Sequence, residues 1–378
     1  MHARLPDDVP RVRTAASIVE IDREAWNACY PGEIEDYDYL LTVEAAGIEG
    51  FQWRYITLVH GGQVIAAMPA FLTDYRLDTT LEEGILRRLA TAVRRYAPGF
   101  LTLRLACLGS PCTEDGAPGF HPSVLPQQQP ALLRQLLCGF EQMADAENCA
   151  LRGVKDVPAT LPADLRAVFA AAGYAALPGL ATAYLDMDFD GIGDYMARLS
   201  PATRKDMRRK LRAREAVSVE YRSDIADVLP RLMALYNDTR IRGDRQFEIL
   251  TGAYFAGVLG NMPGRAFCTL YNVEGRLLAA NLLVRNENVL IDKFFCMDAA
   301  AGREYNLYYL SWFENLEYCL KHGLGRYQSG QAHYENKLRL GSRLTANTMF
   351  FRHRNPIVQA LLRLVSPLFA IPDSARTA

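Results

Sequence analysis

The chain has 378 residues, half of them hydrophobic, and a formal net charge of −1. That is enough apolar material for a sizeable core and more chain than one core usually organises, so two domains are expected. The balanced charge excludes a protein that coats nucleic acid through its global field, and any anion recognition must be local.

Eight cysteines without a C-x-x-C pair predict free thiols in a reducing compartment. The first residues are charged and carry no apolar run of signal-peptide or spanning type, so a cytoplasmic protein is expected.

In chain order, residues 54–60 and 63–72 alternate as hairpin strands around Gly61-Gly62, and 100–108 adds a third strand. An insertion at 81–96 has a helical pattern. A Gly- and Pro-rich loop at 109–126 precedes a helix at 130–147 and a strand at 149–154. After a strand at 181–188 and the turn-prone Asp190-Gly191, the spacing predicts one amphipathic helix over 192–215. It carries Arg204, Lys205, Arg208, Arg209, Lys210, Arg212 and Arg214, with Leu199, Met207 and Leu211 on one face. The same pattern fits a solvated structural face or a phosphate-reading surface.

Strands then follow at 265–271, 276–285 and 289–297, turning at Glu274-Gly275 and at 286–288. A helix over 303–322 has Tyr305, Tyr309, Phe313, Leu316 and Leu320 at helical spacing and stops at Gly323 and Gly325. A strand at 326–329 leads into a polar loop at 330–337. Meander, helix and strand thus occur twice, and the boundary falls between domains 1–185 and 186–378. The segment 356–371 is apolar and weakly basic, too short to span a bilayer, and fits a docked terminal helix or a peripheral membrane contact.

No P-loop, dinucleotide, zinc-protease or nucleophile-elbow motif is present, and six scattered histidines offer no metal-ligand spacing. No metal is expected.

Three stretches carry a family resemblance: residues 199–210, the turn segment 275–280, and 313–324 with the loop to Gly341. Together they resemble the GNAT superfamily in its two-domain, FemAB-like form. The resemblance implies an α/β (α+β) fold of two tandem GNAT-like domains, each a mixed twisted sheet flanked by helices. It also implies transfer of an acyl group to an amine, with backbone N–H groups on a splayed strand beside 294–297 holding the oxyanion.

The donor is an acyl-CoA or a phosphopantetheine-linked acyl carrier protein, acting as co-substrate, or an aminoacyl-tRNA. The acceptor is a small-molecule amine or amino-acid-like compound. A non-catalytic binding scaffold is the third alternative, because the pyrophosphate motif of simple GNAT enzymes is missing around residues 299–306.

For acid–base work the candidates are Asp292, Glu335, His333 and Tyr305, with Tyr308 as a further proton donor. Asp292 and Lys293 interrupt an apolar strand and alternate to opposite faces. For substrate or donor binding the candidates are Arg204, Arg208, Arg209, Arg303, Gln331, Lys337 and Arg242, the last within a charged cluster with Arg240, Asp244 and Arg245.

Overall fold

The computed structural model describes residues 9–76, 102–243 and 247–366. The expected helical insertion at 81–96, and Asp244 and Arg245, lie outside the described residues. The chain forms two units. The first joins the residues through Pro31, Glu49–Leu180 and the stretch from Ala346; the second joins Gly32–Ile48 with Ala181–Thr345.

In the first unit the strands are β1 (Arg11–Ala15), β2 (Phe51–His60), β3 (Gln63–Arg76), β4 (Thr102–Leu108), β5 (Gly119–Phe120), β6 (Leu151–Pro158) and β7 (Ala175–Pro178). The second unit holds β8 (Thr182–Asp186), β9 (Ser218–Arg222), β10 (Ala266–Val273), β11 (Arg276–Arg285), β12 (Val289–Met297), β13 (Arg326–Gly330) and β14 (Arg343–Thr345). The last strand, β15 (Asn347–His353), returns to the first sheet.

The sheets run β1-β2-β3-β4-β6-β15-β7 and β9-β10-β11-β12-β13-β8-β14, and β5 pairs with β3. Both read the same way across. An antiparallel meander meets one parallel neighbour, β6 on β4 or β13 on β12, and two antiparallel strands complete the sheet. Both expected hairpin turns have two consecutive residues at positive φ, Gly61 (55°) with Gly62 (84°) and Glu274 (50°) with Gly275 (74°). That is the backbone twist a two-residue hairpin needs.

Each sheet is covered by the helix that makes its parallel crossover. Helix Gln129–Ala146 lays Leu133, Leu136, Phe140 and Met143 on the first sheet. Helix Leu307–His322 lays Trp312, Phe313, Leu316 and Cys319 against Leu283 and Leu290 of the second.

Three expectations need correction. The cut at 185/186 fails because β8 pairs with β13, β15 and the C-terminal helix belong with β6 and β7, and Gly32–Ile48 belongs with the second unit. There Arg265 binds Asp36 at 2.7 Å and Asp38 at 2.9 Å, and the Tyr39 and Tyr254 hydroxyls meet at 2.8 Å.

The basic helix is two helices, Ile192–Arg198 and Pro201–Lys210, with a 3-10 turn at Leu211–Ala216. Ser200 caps the Thr203 amide, and Pro201 occupies a first-turn position where a missing N–H costs nothing. The helix expected over 303–322 likewise breaks at Asn306, whose φ is 54°, leaving a short turn at Ala301–Glu304 before Leu307–His322.

Candidate active site

β12 and β13 part company within the second sheet. Their parallel pairing runs through Val289–Arg326 and Leu290–Tyr327 and ends at Ile291–Gln328, while β12 continues to Met297. A bulge starts where they separate. Leu282 of β11 faces Phe294 and Leu283 faces Asp292, leaving Lys293 as the extra residue.

Past the bulge, the Asp298 amide donates to Leu278 of β11, whereas the Met297 amide donates to Thr239 Oγ1 at 3.1 Å on the other edge. By strand alternation the Phe295 N–H also faces that open edge. This is the splay expected beside 294–297.

The bulge directs Asp292 and Lys293 to different partners. Lys293 pairs with Glu35 and lies 4.9 Å from the centre of the Tyr39 ring. Asp292 Oδ2 accepts from Asn281 Nδ2 at 3.1 Å and from the Tyr327 hydroxyl at 3.0 Å. Asn315 Nδ2 donates in turn to the Tyr327 oxygen at 3.0 Å, and Asn281 Nδ2 also reaches Ser311 Oγ at 3.3 Å.

Burial pushes the Asp292 carboxyl up to about 6, against the lowering effects of the Asn281 hydrogen bond, the Lys337 charge and the Tyr327 hydrogen bond. The buried Tyr308 hydroxyl and Asn281 Oδ1 have no hydrogen-bond partner among the described residues. Asp292 and burial together raise the Tyr308 hydroxyl above its ordinary range, with burial the larger cause. A proton acceptor poised near neutrality and a neutral hydroxyl therefore sit where the strands separate.

The expected loop at 330–337 contains a short helix, Tyr334–Arg339, entered through His333 at φ 55°. Lys337 is buried, not displayed on a loop: its ammonium donates to Ser329 O and, at 3.1 Å, to Gly330 O, closing the end of β13. His333 and Glu335 are exposed on the helix's first turn, and no contact joins Glu335 to Asp292. Gln331 Nε2 donates to Thr182 Oγ1 at 3.4 Å. Tyr305 packs into an apolar cluster with Leu307 and Leu310, whereas Tyr308 lies near enough to feel the Asp292 charge.

Helix Pro201–Lys210 carries its charges in two sets. Arg209, Lys210 and Arg339 converge on Asp206 at 2.7, 3.1 and 2.7 Å. Against the desolvation that would raise it, their hydrogen bonds hold the Asp206 carboxyl well below the usual range. Lys210 also lies 3.5 Å above the Tyr309 ring, and Tyr309 donates to Asn336 at 3.0 Å, tying this helix to the start of Leu307–His322 and to Tyr334–Arg339.

Arg204, Lys205, Arg208 and Arg212 have no ion pair among the described residues, and Arg204, Arg208 and Arg212 recur at four-residue intervals. Arg209 is thus engaged with Asp206, whereas Arg204 and Arg208 have no ion pair among the described residues. Arg303 is exposed with no ion pair among the described residues, and Arg242 donates to Met297 O at 2.9 Å beside the open edge of β12.

The sequence singles out Asp292 but not the residues that hold it in the structure. The signals were present. Asn281 interrupts the otherwise apolar β11, and Ser311 and Asn315 are polar residues at i, i+4 on a helix face that is mostly apolar.

Two tandem sheets of this order, each with one parallel pair, are the fold of two-domain GNAT-like proteins, and the comparisons point to an acyl or aminoacyl transferase. A sequence profile described as FemAB-like, peptidoglycan biosynthesis/recognition, matches residues 124–364, more than half of the chain, and the chain belongs to the FemAB-like family.

Among solved structures it is similar to FemX, with a TM-score of 0.60 and 14% identity over 91% of this chain and 98% of that one. A tandem GNAT protein from the clavulanic acid biosynthesis pathway matches with TM-score 0.53 and 14% identity over 92% and 99% of the two chains. The C-terminal domain of a putative lysylphosphatidylglycerol synthetase from Agrobacterium fabrum matches with TM-score 0.54 and 12% identity over 92% and 96%. No curated protein matches the chain.

Proposed function

We propose that the protein forms an amide by passing an acyl group from a phosphate-bearing donor to an amine, with Asp292 as proton acceptor. The carrying observation is a carboxylate raised to about 6 at the point where β12 and β13 separate. The ammonium of the acceptor loses its proton to Asp292, and the free amine attacks the donor carbonyl carbon. The oxyanion forms against the open edge of β12, where the Phe295 N–H is directed. As collapse breaks the bond to the leaving oxygen or sulfur, Asp292 hands it the first proton, and the carboxylate so regenerated takes the second proton from the still-cationic nitrogen and releases it to solvent. Most of the rate gain required of the protein is alignment.

An aminoacyl-tRNA is the donor favoured by Arg204, Lys205, Arg208 and Arg212. Arg204, Lys205 and Arg208 on helix Pro201–Lys210 and Arg212 on the 3-10 turn that follows it have no ion pair among the described residues and spread over roughly 12 Å, longer than one phosphate needs. The family's peptidoglycan description supports a cell-wall-precursor amine as acceptor.

A thioester donor, coenzyme A or a carrier protein, is the second reading. It rests on the N-terminus of helix Leu307–His322, whose first amides lack intrahelical acceptors and receive no side-chain cap from Asn306.

Thermal stabilisation and product mass, measured with aminoacyl-tRNA, acyl-CoA and acylated carrier protein against a panel of amines, test both. Stabilisation and amide product with charged tRNA alone are expected. Product with acyl-CoA alone would replace the first donor with the second, and binding without any amide product would remove the catalytic reading.

A further inference from the structure

We propose that helix Pro356–Val365 is a peripheral membrane anchor that lays Ile357, Leu361 and Leu364 into an anionic lipid leaflet. A terminal helix that merely docks on its domain turns its large aliphatics inward. This one turns a glutamine inward. The buried Gln359 accepts from the His353 N–H at 2.7 Å and donates to Phe351 O at 3.4 Å, both on β15.

Leu362 contributes apolar packing on the inner face, against the cluster of Phe71, Leu105, Cys107 and Leu151. Ile357, Leu361 and Leu364 are 78%, 58% and 77% exposed and follow one another at four- and three-residue intervals, which puts them on one outward stripe.

The helix is held in that orientation by Gln359 at its middle and by Arg363 toward its C-terminal end. Asn355 accepts from the Ile357 amide at 2.9 Å, and Arg363 donates to Gly173 O at 2.8 Å. The outward stripe is therefore a fixed face.

Charge selects the occupant. From Asn347 to Ser366 the chain contains Arg352, Arg354 and Arg363 and no aspartate or glutamate, although the protein as a whole has a net charge of −1. Arg352 is partly offset by Glu141 at 3.2 Å, Arg363 by a neutral carbonyl only, and Arg354 is exposed with no ion pair among the described residues. An exposed apolar stripe on a segment whose only charged residues are arginines, Arg354 among them free of an ion pair in the described residues, suits the boundary between headgroups and acyl chains, which requires no shaped groove and attracts cations when anionic. Among the described residues no helix is long and apolar enough to cross a membrane, so the helix lies on the surface. This inference stands apart from the acyl-transfer reading.

The test is co-sedimentation of the full chain with phosphatidylglycerol-containing vesicles and with pure phosphatidylcholine vesicles, at low and high salt. Binding is expected to be at least about tenfold stronger to the anionic vesicles and to weaken with salt. Ile357→Glu with Leu361→Glu should reduce it at least about tenfold, with the melting temperature unchanged because both side chains are exposed; Leu364→Ser is the milder second variant. Arg354→Gln should weaken binding to anionic vesicles only. Absence of pelleting, or equal pelleting of the wild type and both apolar variants, would overturn the proposal. So would a dimer in sedimentation velocity that the apolar variants dissolve, since the stripe would then join two copies of the chain.

Discussion

The two parallel strand pairs, β4 with β6 and β12 with β13, have the same place in sheets of the same order, yet they end differently. In the second unit the gap beyond Ile291–Gln328 is bordered by Asp292, Tyr308 and the free edge of β12. The corresponding gap beyond Leu108–Val154 is filled by the chain itself.

There the loop after β4 folds back. The Gly116 amide donates to Asp156 O at 3.0 Å, the Lys155 ammonium donates to Thr113 O at 2.6 Å, and Lys155 pairs with Asp156 at 2.6 Å. The fit leaves no slack, because a Cβ on Gly116 would stand 1.9 Å from Lys155 O. One architecture therefore serves two ends. In the first unit the loop fills the gap; in the second, Asn281 Oδ1 and the Tyr308 hydroxyl are left without hydrogen-bond partners among the described residues, and the proposed site would use them.

The strongest break of this comparison is a pair of matched substitutions. Asp292→Asn should lower single-turnover amide formation by about 10²-fold or more with folding intact, whereas Asp156→Asn should leave it within about twofold of the wild type. Equal losses would mean that both gaps act in catalysis.

Gly116→Ala probes the filled gap directly. Overpacking against Lys155 should destabilise the protein by roughly 1–3 kcal/mol in urea unfolding while turnover per folded molecule is retained. Arg204→Glu with Arg208→Glu should weaken donor binding about tenfold and flatten the salt slope of a tRNA complex by about two, since each removes one phosphate contact. An unchanged dissociation constant would return that helix to a purely structural role.

The smallest effect belongs to Tyr327→Phe. The base must be ionised to act, so activity should rise with pH through about 6 and level off above it. Losing a hydrogen bond that favours the carboxylate raises its pKa further, and the acidic limb of the pH–rate profile should move upward by up to about one pH unit. A limb that stays in place would show that Tyr327 only packs against Trp312, whose ring centre is 5.1 Å away.

By itself, the sequence determined what depends on neighbours in the chain. The hairpin turns at Gly61-Gly62 and Glu274-Gly275, the crossover helices, the repeated meander and Asp292 as an ionisable intruder in an apolar strand follow from local propensity and periodicity, and the family from the resemblance of three stretches. The splay beside residues 294–297 was expected from the family resemblance.

Tertiary structure decided what depends on pairing between distant segments. β15 completes the first sheet and Gly32–Ile48 joins the second because strand edges and buried faces are satisfied by whichever backbone arrives with the right shape, and residue type hardly encodes that choice. Lys337 reads as a solvated loop residue until its acceptors, Ser329 O and Gly330 O, are in place. Asn281 and Tyr327 likewise become partners of Asp292 only when β11, β12 and β13 lie side by side. The pKa of that carboxylate, and with it the proposed chemistry, is set by burial and by hydrogen bonds among groups far apart in the chain, so it exists only in the folded molecule.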